Sequence, residues 1–365
     1  MSRLRVGVIG AGTIAQVEHI PNLTALNDLF DLVGVADPSA TARNFVTATW
    51  GVPTFETPDQ LLDQKLDAVV IAAPDPLHYE LVIAALARGL HVFCEKPLCY
   101  SPEEIADIIA ARDKVGRVVQ VGYMKRFDPS YRHALTVLPG TAKTLRYVSV
   151  EVNDPDAWPF IAHSRTKSGN DVPDELKQAV VNKKRAQVGA AFGKPLNELA
   201  FSGFTSAYSS SLIHDVNAVH GLLDSLGVPD GEIVGGQIFA NGAGGQGTVR
   251  LLDGQALWTM THLTVPKLAA YKERISLYFD DAILELEFPS PYLNHHPTRL
   301  TVKKSDGYTL SHDEIRPGYQ EAFVEEMRGF WAAIVNGEPV VNLPEHAARD
   351  QKLLIGLTHR YLETI

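Results

Sequence analysis

One stretch near the start of the chain decides its fold: Arg5-Val6-Gly7-Val8-Ile9-Gly10-Ala11-Gly12-Thr13-Ile14-Ala15. The apolar first half is typical of a buried strand, and the glycines are typical of a tight turn into a helix. A helix that starts at such a turn offers free backbone N–H groups and a positive dipole end to a phosphate. The stretch therefore predicts a site for a dinucleotide pyrophosphate at Gly10, Gly12, Thr13 and Ile14. A turn that binds no ligand is the competing interpretation, and the residues that follow decide between the two.

The second predicted strand, residues 32–37, ends in the acidic residue Asp37. Asp37 follows Gly12 by about 25 residues, close to the spacing of about 20 at which an acid binds the adenosine ribose hydroxyls. A carboxylate in that position repels a 2′-phosphate, so Asp37 favours NAD over NADP. The neighbouring Arg43 can weaken this preference, and a turn residue before Pro38 is the alternative interpretation of Asp37.

Apolar strands continue to alternate with helices through the first third of the chain. Further buried strands are predicted at residues 67–74, 90–94 and 118–122, and helices at about residues 14–26, 42–50 and from residue 101. Strands rich in Val, Ile and Leu that alternate with helices are typical of a parallel sheet covered on both faces. Such sheets bind ligands beyond the carboxyl ends of their strands, where the sequence places Pro74, His78, Lys96 and Tyr123. We therefore expect these four residues to line one crevice.

The pattern changes from about residue 144, where strands follow one another directly. Strands are predicted at residues 144–152, 232–240, 247–252, 255–262, 273–279, 282–288 and 299–303, and helices at residues 211–226, 320–336 and 345–362. Turn residues join several of the strands, which is typical of an antiparallel sheet. The polar stretch 153–205, with a predicted helix at residues 174–185, is an insertion. Such an insertion often forms a lid or an interaction arm, and a solvated surface excursion is the alternative.

The composition argues against several classes of partner. The 365 residues carry a net charge of -10, and no basic run offsets it, so no nucleic-acid partner is expected. No apolar run reaches roughly 18 residues, so no membrane span is expected. Cys94 and Cys99 lack the company of a metal site, which predicts reduced thiols and no bound metal. The chain enters its first strand without a preceding signal peptide, so a cytoplasmic location is expected.

Several motifs occur in the order of one known family. They are Gly10-Ala11-Gly12, Asp37, Ala72-Ala73-Pro74 with His78, Glu95-Lys96-Pro97, and Gly122-Tyr123-Met124-Lys125-Arg126-Phe127-Asp128. Together they resemble the glucose–fructose oxidoreductase / inositol dehydrogenase family (Gfo/Idh/MocA) over nearly the whole chain. The resemblance implies an α/β plus α+β protein. A Rossmann NAD-binding domain at residues 1–125 would precede a substrate and oligomerisation domain with a large, open, mostly antiparallel sheet at residues 126–365. The last helix can pack back on the first domain.

The resemblance also implies an activity, which is hydride transfer between NAD, or less favourably NADP, and a small-molecule sugar, polyol or glycoside. It implies a homodimer or homotetramer formed through the second sheet. The cofactor-binding residues would be Gly10, Gly12, Thr13, Ile14, Asp37, Ala73, Pro74, His78, Glu95, Lys96 and Tyr123. The substrate-binding residues would be Lys96, Lys125, Arg126, Asn153, Ser210 and His214, and Trp158 is added as an aromatic on which a sugar can stack.

The predicted catalytic residues are Lys96 and His214. Oxidation of a secondary alcohol needs a base for the hydroxyl proton, and a lysine serves when burial or a nearby positive charge lowers its pKa. Both residues resemble the family's catalytic pair, but Ser210 replaces the aspartate that precedes the histidine by four positions, and Asn217 replaces a frequent downstream acid. If the helix includes Ser210, this spacing puts it on the face of His214. A serine cannot hold a proton as a carboxylate does, so either His214 works alone, Asp215 or another group substitutes, or activity is weakened.

Three functions are consistent with these residues. The first is an NAD-dependent oxidoreductase acting on a secondary hydroxyl of a sugar, inositol or glycoside. The second is an enzyme that keeps NAD bound and oxidises its sugar only transiently, for net hydrolysis, elimination or epimerisation. The third is a non-catalytic, NAD(H)-binding regulatory protein, since a fold does not determine a function.

Overall fold

The computed structural model describes residues 3–155, 157–240 and 242–365. Met1 and Ser2, which the sequence places directly before the first strand, lie outside these ranges. The chain forms two units. The first contains Met1–Tyr123, Ile161–Pro195 and Phe323–Ala348, and the second contains Met124–Phe160, Leu196–Ala322 and Arg349–Ile365.

The described elements are as follows in chain order. The strands are β1 (Leu4–Ile9), β2 (Phe30–Ala36), β3 (Thr54–Phe55), β4 (Ala68–Ile71), β5 (His91–Glu95), β6 (Val119–Gly122), β7 (Leu145–Asp154), β8 (Glu232–Ile238), β9 (Gly244–Leu251), β10 (Ala256–Thr264), β11 (Lys272–Phe279), β12 (Ala282–Phe288), β13 (Arg299–Ser305) and β14 (Leu310–Ile315). The α-helices are α1 (Ile20–Ala25), α2 (Ala40–Trp50), α3 (Pro58–Leu62), α4 (His78–Ala87), α5 (Pro102–Val115), α6 (Pro129–Thr136), α7 (Trp158–Ile161), α8 (Asp174–Phe192), α9 (Glu198–Ser202), α10 (Ile213–Ser225), α11 (Ala322–Val335) and α12 (Pro344–Leu362).

The sheet of the first unit has six strands in the order β3-β2-β1-β4-β5-β6. Its strands pair in parallel. This confirms the predicted parallel sheet in an alternating strand–helix pattern. The strand order reverses at β1, between β2 and β4, which is the place where doubly wound sheets bind dinucleotides.

The core of the first unit also uses residues from near the end of the chain. Met327, Phe330 and Trp331 of α11 pack in the same apolar cluster as the buried side chains of β1 and β5. The rings of Phe93 and Phe330 meet edge to face with their centroids 5.9 Å apart. A residue of β5 is therefore covered by a helix that follows it by more than two hundred positions.

The helix after the glycine turn differs from the predicted continuous helix at residues 14–26. It begins with a π-helical turn at Ala15–His19 and continues as α1. Pro21 lies in the first turn of α1 and has no N–H to donate to the carbonyl of Val17, so the regular hydrogen-bond ladder cannot form there. The segment is helical as predicted, but its first turn is π-helical and not α-helical.

The sheet of the second unit has eight strands in the order β14-β13-β12-β11-β7-β10-β9-β8. Its neighbours pair antiparallel except for β7 and β10, which are parallel. The prediction of a large, mostly antiparallel sheet is confirmed. Strand β14 was not predicted, because its residues are exposed and lack the alternation of a half-buried strand.

The two faces of this second sheet differ in burial. On β7, Val148, Val150 and Val152 are buried, whereas the intervening Tyr147 and Ser149 are only half-buried. Successive side chains of a strand point to opposite faces, so the valine face is the core face and the other is open. Across the described ranges, no helix has the length and apolar character needed to cross a bilayer.

Candidate functional site

The glycine turn after β1 has the geometry of a nucleotide-binding turn. Gly10 has φ +98°, and a Cβ built on it would lie 2.4 Å from the carbonyl oxygen of Ala72. A Cβ on Gly12 would meet nothing within 4 Å, and both Gly12 and Thr13 are exposed. Gly10 therefore permits the close packing of β1 against the end of β4, while Gly12 leaves open space into which a pyrophosphate can approach the backbone.

Asp37 links the glycine turn to the start of α2. Its carboxylate accepts hydrogen bonds from the N–H of Ala11 at 2.8 Å and from the N–H of Ser39 at 2.8 Å. The guanidinium of Arg43 donates instead to the carbonyl oxygens of Asp37, at 2.7 Å, and of Pro38, at 2.9 Å. The predicted ribose acid thus lies directly beside the glycine turn, and Arg43 is held by backbone carbonyls.

His78 connects two loops at the carboxyl ends of β4 and β5. Its Nδ1 lies 2.9 Å from the carbonyl oxygen of Pro97, and its Nε2 lies 2.9 Å from the carbonyl oxygen of Ala73. The side chain is buried. His78 therefore joins the segment that contains Ala73 and Pro74 to the segment that contains Lys96.

Glu95 is the buried neighbour of Lys96. Its carboxylate accepts a hydrogen bond from Nε2 of His19 at 2.7 Å and one from the backbone N–H of Lys96 at 3.2 Å. Burial raises the pKa of Glu95, but the hydrogen bond with His19 and the charge of Lys96 outweigh it and hold the pKa below its usual value. Lys96 is therefore preceded by a buried, ionised carboxylate.

Three residues that support this region were not predicted: His19, Glu326 and Asn342. Burial and the charge of Glu95 raise the pKa of Glu326 well above its ordinary value. The side-chain amide of Asn342 donates to the carbonyl oxygen of Tyr123 at 2.9 Å, and the ring of Tyr123 is buried. Sequence separation hides these contacts, since Asn342 follows Tyr123 by 219 residues.

We expect Gly10→Ala and Gly12→Ala to have different effects. Gly10→Ala should lower the free energy of unfolding by about 2–4 kcal/mol, because the new Cβ meets the Ala72 carbonyl and the φ is unfavourable. Gly12→Ala should change stability by less than about 1 kcal/mol, yet weaken NADH binding because the Cβ fills the approach to the turn. Urea denaturation measures the free energy of unfolding, and calorimetric titration measures NADH affinity. An equal loss of stability in both variants would contradict the different roles given to Gly10 and Gly12.

His214 lies in the first turn of α10, and the segment before it is not a regular α-helix. Gly203–Leu212 is π-helical, so Ser210 precedes His214 through widened turns. The hydroxyl of Thr205 donates to the carbonyl of Phe201 at 2.8 Å, and such side-chain bonds compete with the backbone ladder. The condition under which Ser210 and His214 share one α-helical face, an α-helix that already includes Ser210, is not met. Ser210 is exposed and His214 is half-buried.

Lys125, predicted to bind substrate, belongs to a buried ion triad. Its ammonium donates to Asp215 at 2.9 Å and to Glu273, and it lies 4.9 Å from the ring centroid of Phe288. Burial lowers the pKa of Lys125, but the two carboxylates outweigh it and raise the pKa. Burial and the charge of Glu273 hold the pKa of Asp215 well above its usual value, although Lys125 opposes them. Asp215, one candidate substitute for the absent helix acid, is thus paired with Lys125.

Arg126 fastens the same helix. Its guanidinium donates to the carbonyl oxygen of Asn217 at 2.6 Å and 3.0 Å. The side-chain amide of Asn217 donates to Asp350 at 2.7 Å, and Nδ1 of His220 lies 2.6 Å from the same carboxylate. The bonds of Arg126 and Asn217 therefore hold α10 in place in the second unit.

The end of β7 carries Asn153 and Asp154 on opposite faces. Asn153 has the same parity as the open-face residues, whereas Asp154 has the parity of the core face. The carboxylate of Asp154 accepts a hydrogen bond from the hydroxyl of Ser211 at 3.3 Å, just before α10. Asp154, which was not predicted, is therefore the β7 residue beside the start of the His214 helix. Trp158 in α7 is 62% exposed, as an aromatic stacking surface requires.

The insertion packs on the first unit through residues 161–195. Lys184 of α8 pairs with Asp75 at 2.9 Å, and Lys183 pairs with Glu80. Gln187 donates to the carbonyl oxygen of Pro76 at 3.1 Å. These contacts anchor α8 to the loop after β4 and to α4.

Among the described ranges, no cluster of His, Cys, Asp and Glu has the arrangement of a metal site.

Comparison with known proteins finds similarity to NAD-binding oxidoreductases. A family model described as an oxidoreductase family with an NAD-binding Rossmann fold matches residues 4–123. Inositol 2-dehydrogenase 3 of Saccharopolyspora erythraea is 40% identical over 131 residues, which cover 35% of this chain and 38% of that protein. The chain spans less than half the length of this and other curated relatives that it matches.

Solved structures match nearly the whole fold at low identity. UDP-N-acetylglucosamine 3-dehydrogenase GnnA of Acidithiobacillus ferrooxidans has a TM-score of 0.71 and 20% identity, covering 99% of this chain and 98% of that one. KijD10, a 3-ketoreductase of Actinomadura kijaniata in complex with NADP and TDP-benzene, also has a TM-score of 0.71 and 20% identity, covering 97% and 96%. Residues 4–123 therefore match an oxidoreductase family with an NAD-binding Rossmann fold, and the chain shares the two-sheet fold of these solved structures.

Proposed function

We propose that the protein transfers a hydride between NAD and a secondary hydroxyl of a sugar, inositol or glycoside, with Lys96 and His214 as acid/base groups. The observation that carries this proposal is the position of Lys96 directly after β5, at the same sheet edge as the glycine turn after β1. The carboxyl ends of parallel strands share one edge, so the glycine turn and Lys96 follow strand ends at the same edge of the sheet. The inositol 2-dehydrogenase named above is 40% identical over 131 residues of the chain, which supports the proposal.

Side chains of the protein accept and return the proton of the substrate hydroxyl in this reaction. Bound NAD supplies the hydride acceptor for oxidation, and its reduced form supplies the donor for the reverse. The Nζ of Lys96 accepts the proton of the substrate hydroxyl and returns it in the reverse direction. Gly10, Gly12 and Asp37 bind the pyrophosphate and ribose, and His214 is the second acid/base group. A serine hydroxyl cannot accept a proton at neutral pH as a carboxylate does, so Asp154, which is bonded to Ser211 beside the start of α10, is the proposed carboxylate that assists His214.

NAD rather than NADP is the proposed cofactor. The carboxylate of Asp37 lies beside the N–H of Ala11 in the glycine turn, and a negative charge there repels a 2′-phosphate. Arg43 donates to backbone carbonyls and leaves the charge of Asp37 in place.

The domain boundaries, assembly and location are proposals as well. We propose a nucleotide domain at residues 1–125 and a substrate domain at residues 126–365, and a cytoplasmic homodimer or homotetramer formed through the open face of the second sheet. The rings of Tyr147 and Tyr278 pack on this face with centroids 5.7 Å apart, and Leu257 is 41% exposed on β10. Aromatic and apolar side chains on an open sheet are typical of an interface.

A panel of inositols, pyranosides and glycosides tests the activity. We expect NADH to form in the presence of NAD and at least one compound of the panel, measured by NADH absorbance, because Lys96 and the glycine turn share one sheet edge. NADH binding by calorimetry without turnover of any compound, in either direction, would instead support a regulatory protein.

A second function is favoured by the insertion. The backbone of Lys167 is bonded to Gln16, in the turn that follows Gly12 and Thr13, so the insertion reaches the predicted cofactor residues. This contact suits an enzyme that keeps NAD bound while it oxidises a sugar transiently. NAD(H) that stays with the purified protein through desalting, together with product formation and no net change in NADH absorbance, would favour it.

A further inference from the structure

Two residues of the insertion, Lys167 and Asp171, contact the segments that follow β1 and β2. In the first contact, the side-chain amide of Gln16 donates to the carbonyl oxygen of Lys167 at 2.9 Å and accepts from its N–H at 2.8 Å. The same amide donates to the carbonyl oxygen of Ala11 at 2.6 Å. One buried side chain therefore ties the insertion to the glycine turn.

In the second contact, Asp171 occupies the N-terminus of α2. Its carboxylate accepts a hydrogen bond from the hydroxyl of Ser39 and one from the N–H of Thr41 at 3.0 Å. Ser39 is fully buried, and its own hydroxyl accepts from the N–H of Ala42. A Cβ on Gly169 would lie 2.7 Å from the Cβ of Ser39, so this glycine allows the insertion to come this close.

Asp171 is adjacent to the predicted ribose acid through a single residue. Ser39 donates its N–H to Asp37 and its hydroxyl to Asp171. The donors of Ser39 and Thr41 hold the pKa of Asp171 at about 2, so its carboxylate is ionised throughout the neutral range. Two negative charges thus flank the end of β2.

The chemistry of a 2′-phosphate would require the same donors. The extra phosphate of NADP is esterified to the ribose 2′-hydroxyl that an acid in the position of Asp37 binds in NAD. Its best local partners would be a helix N-terminal N–H and a hydroxyl, which are the groups that already bond to Asp171.

We propose that Asp171 is a specificity-determining residue, an intramolecular anion that takes the place of the 2′-phosphate and so selects NAD over NADP. This inference rests on the proposed NAD-dependent function. Asp37 repels the phosphate from the ribose side, and Asp171 both repels it and occupies its donors. The insertion therefore sets cofactor choice from outside the Rossmann motif.

The test measures the dissociation constants of NADH and NADPH by calorimetry for the wild-type protein, Asp171→Asn, Asp171→Glu and Asp174→Asn. Asp171→Asn removes the charge with little change in shape, so the ratio of the NADPH constant to the NADH constant should fall by about tenfold. Asp171→Glu retains the charge and should retain most of the wild-type ratio. Asp174 is an exposed residue of α8 that pairs with Lys177 at 3.0 Å, and its variant should leave the ratio unchanged.

Each outcome bears on the inference. A wild-type protein that prefers NADH and an Asp171→Asn ratio within twofold of wild type would overturn it and leave the proposed function intact. An equal change of both constants would assign Asp171 to fastening the insertion and would also overturn it. A wild-type protein that prefers NADPH contradicts it directly, and one that binds neither dinucleotide removes the proposed function along with it.

Discussion

Lys96→Ala is expected to lower kcat with an accepted sugar or polyol by about 10²–10⁴-fold, the usual contribution of a positioned acid/base group. The residue follows the buried Glu95 at the carboxyl end of β5, and the carboxylate of Glu95 is already bonded to His19 and to the backbone N–H of Lys96. The substitution removes the amine and leaves the glycine turn and Asp37 untouched. NADH affinity should therefore stay within about threefold of the wild-type value, while turnover collapses.

Three measurements decide the role of Lys96. Lys177→Ala, at an exposed lysine of α8, is the matched control and should keep full turnover. Added methylamine should restore part of the activity of Lys96→Ala, because a free amine can take the place of the lost base. Equal turnover in the wild-type protein and Lys96→Ala would exclude Lys96 as the acid/base group, and loss of NADH binding would assign it to the cofactor instead.

Lys125→Met is expected to lower the free energy of unfolding by about 3–5 kcal/mol, because it leaves the carboxylates of Asp215 and Glu273 buried without their cation. The loss should grow with pH. A carboxyl whose pKa is higher in the folded than in the unfolded state contributes stability below the unfolded pKa, and that contribution is lost as the pH rises through the folded pKa. Asp215 already has a raised pKa, and removal of Lys125 raises it further.

Urea denaturation at about pH 5 and about pH 8 measures both the loss and its slope with pH. Lys272→Met is the matched control, since Lys272 is a half-exposed residue that pairs with Glu151 on the open face, and its loss should cost less than about 1 kcal/mol. The double variant Lys125→Met with Asp215→Asn should recover part of the stability at pH 8. A Lys125→Met protein as stable as the Lys272→Met protein would refute the triad as a stabilising unit.

The sequence predicts the longer strands of the first sheet well because strands such as β1 and β4 are buried on both faces, whereas the two-residue, half-buried β3 gives no such signal. Val6, Val8 and Val70 are fully buried, so a continuous apolar run marks the strand without knowledge of its partners. Most strands of the second sheet are also readable from the sequence, but by a different signal, the alternation of buried and exposed residues. Strand β14 has no buried face and thus no such signal.

The contacts of the candidate site are harder to predict from the sequence, because they join residues that are far apart in the chain. Lys125 follows a strand end, as a substrate ligand would, but its partners Asp215 and Glu273 come 90 and 148 residues later. The contact between Gln16 and Lys167 spans 151 residues. The π-helical segment before α10, in which the hydroxyl of Thr205 bonds to the carbonyl of Phe201, is not revealed by periodicity alone.

The origin of the first core has a consequence for biosynthesis. Met327, Phe330 and Trp331 complete the apolar cluster around β1 and β5, and they emerge from the ribosome long after the strands they cover. At synthesis rates of about 5–20 residues per second, the nascent strands wait for at least about ten seconds with that apolar surface uncovered. The core of the first unit is thus completed only after residues 327–331 have been synthesised.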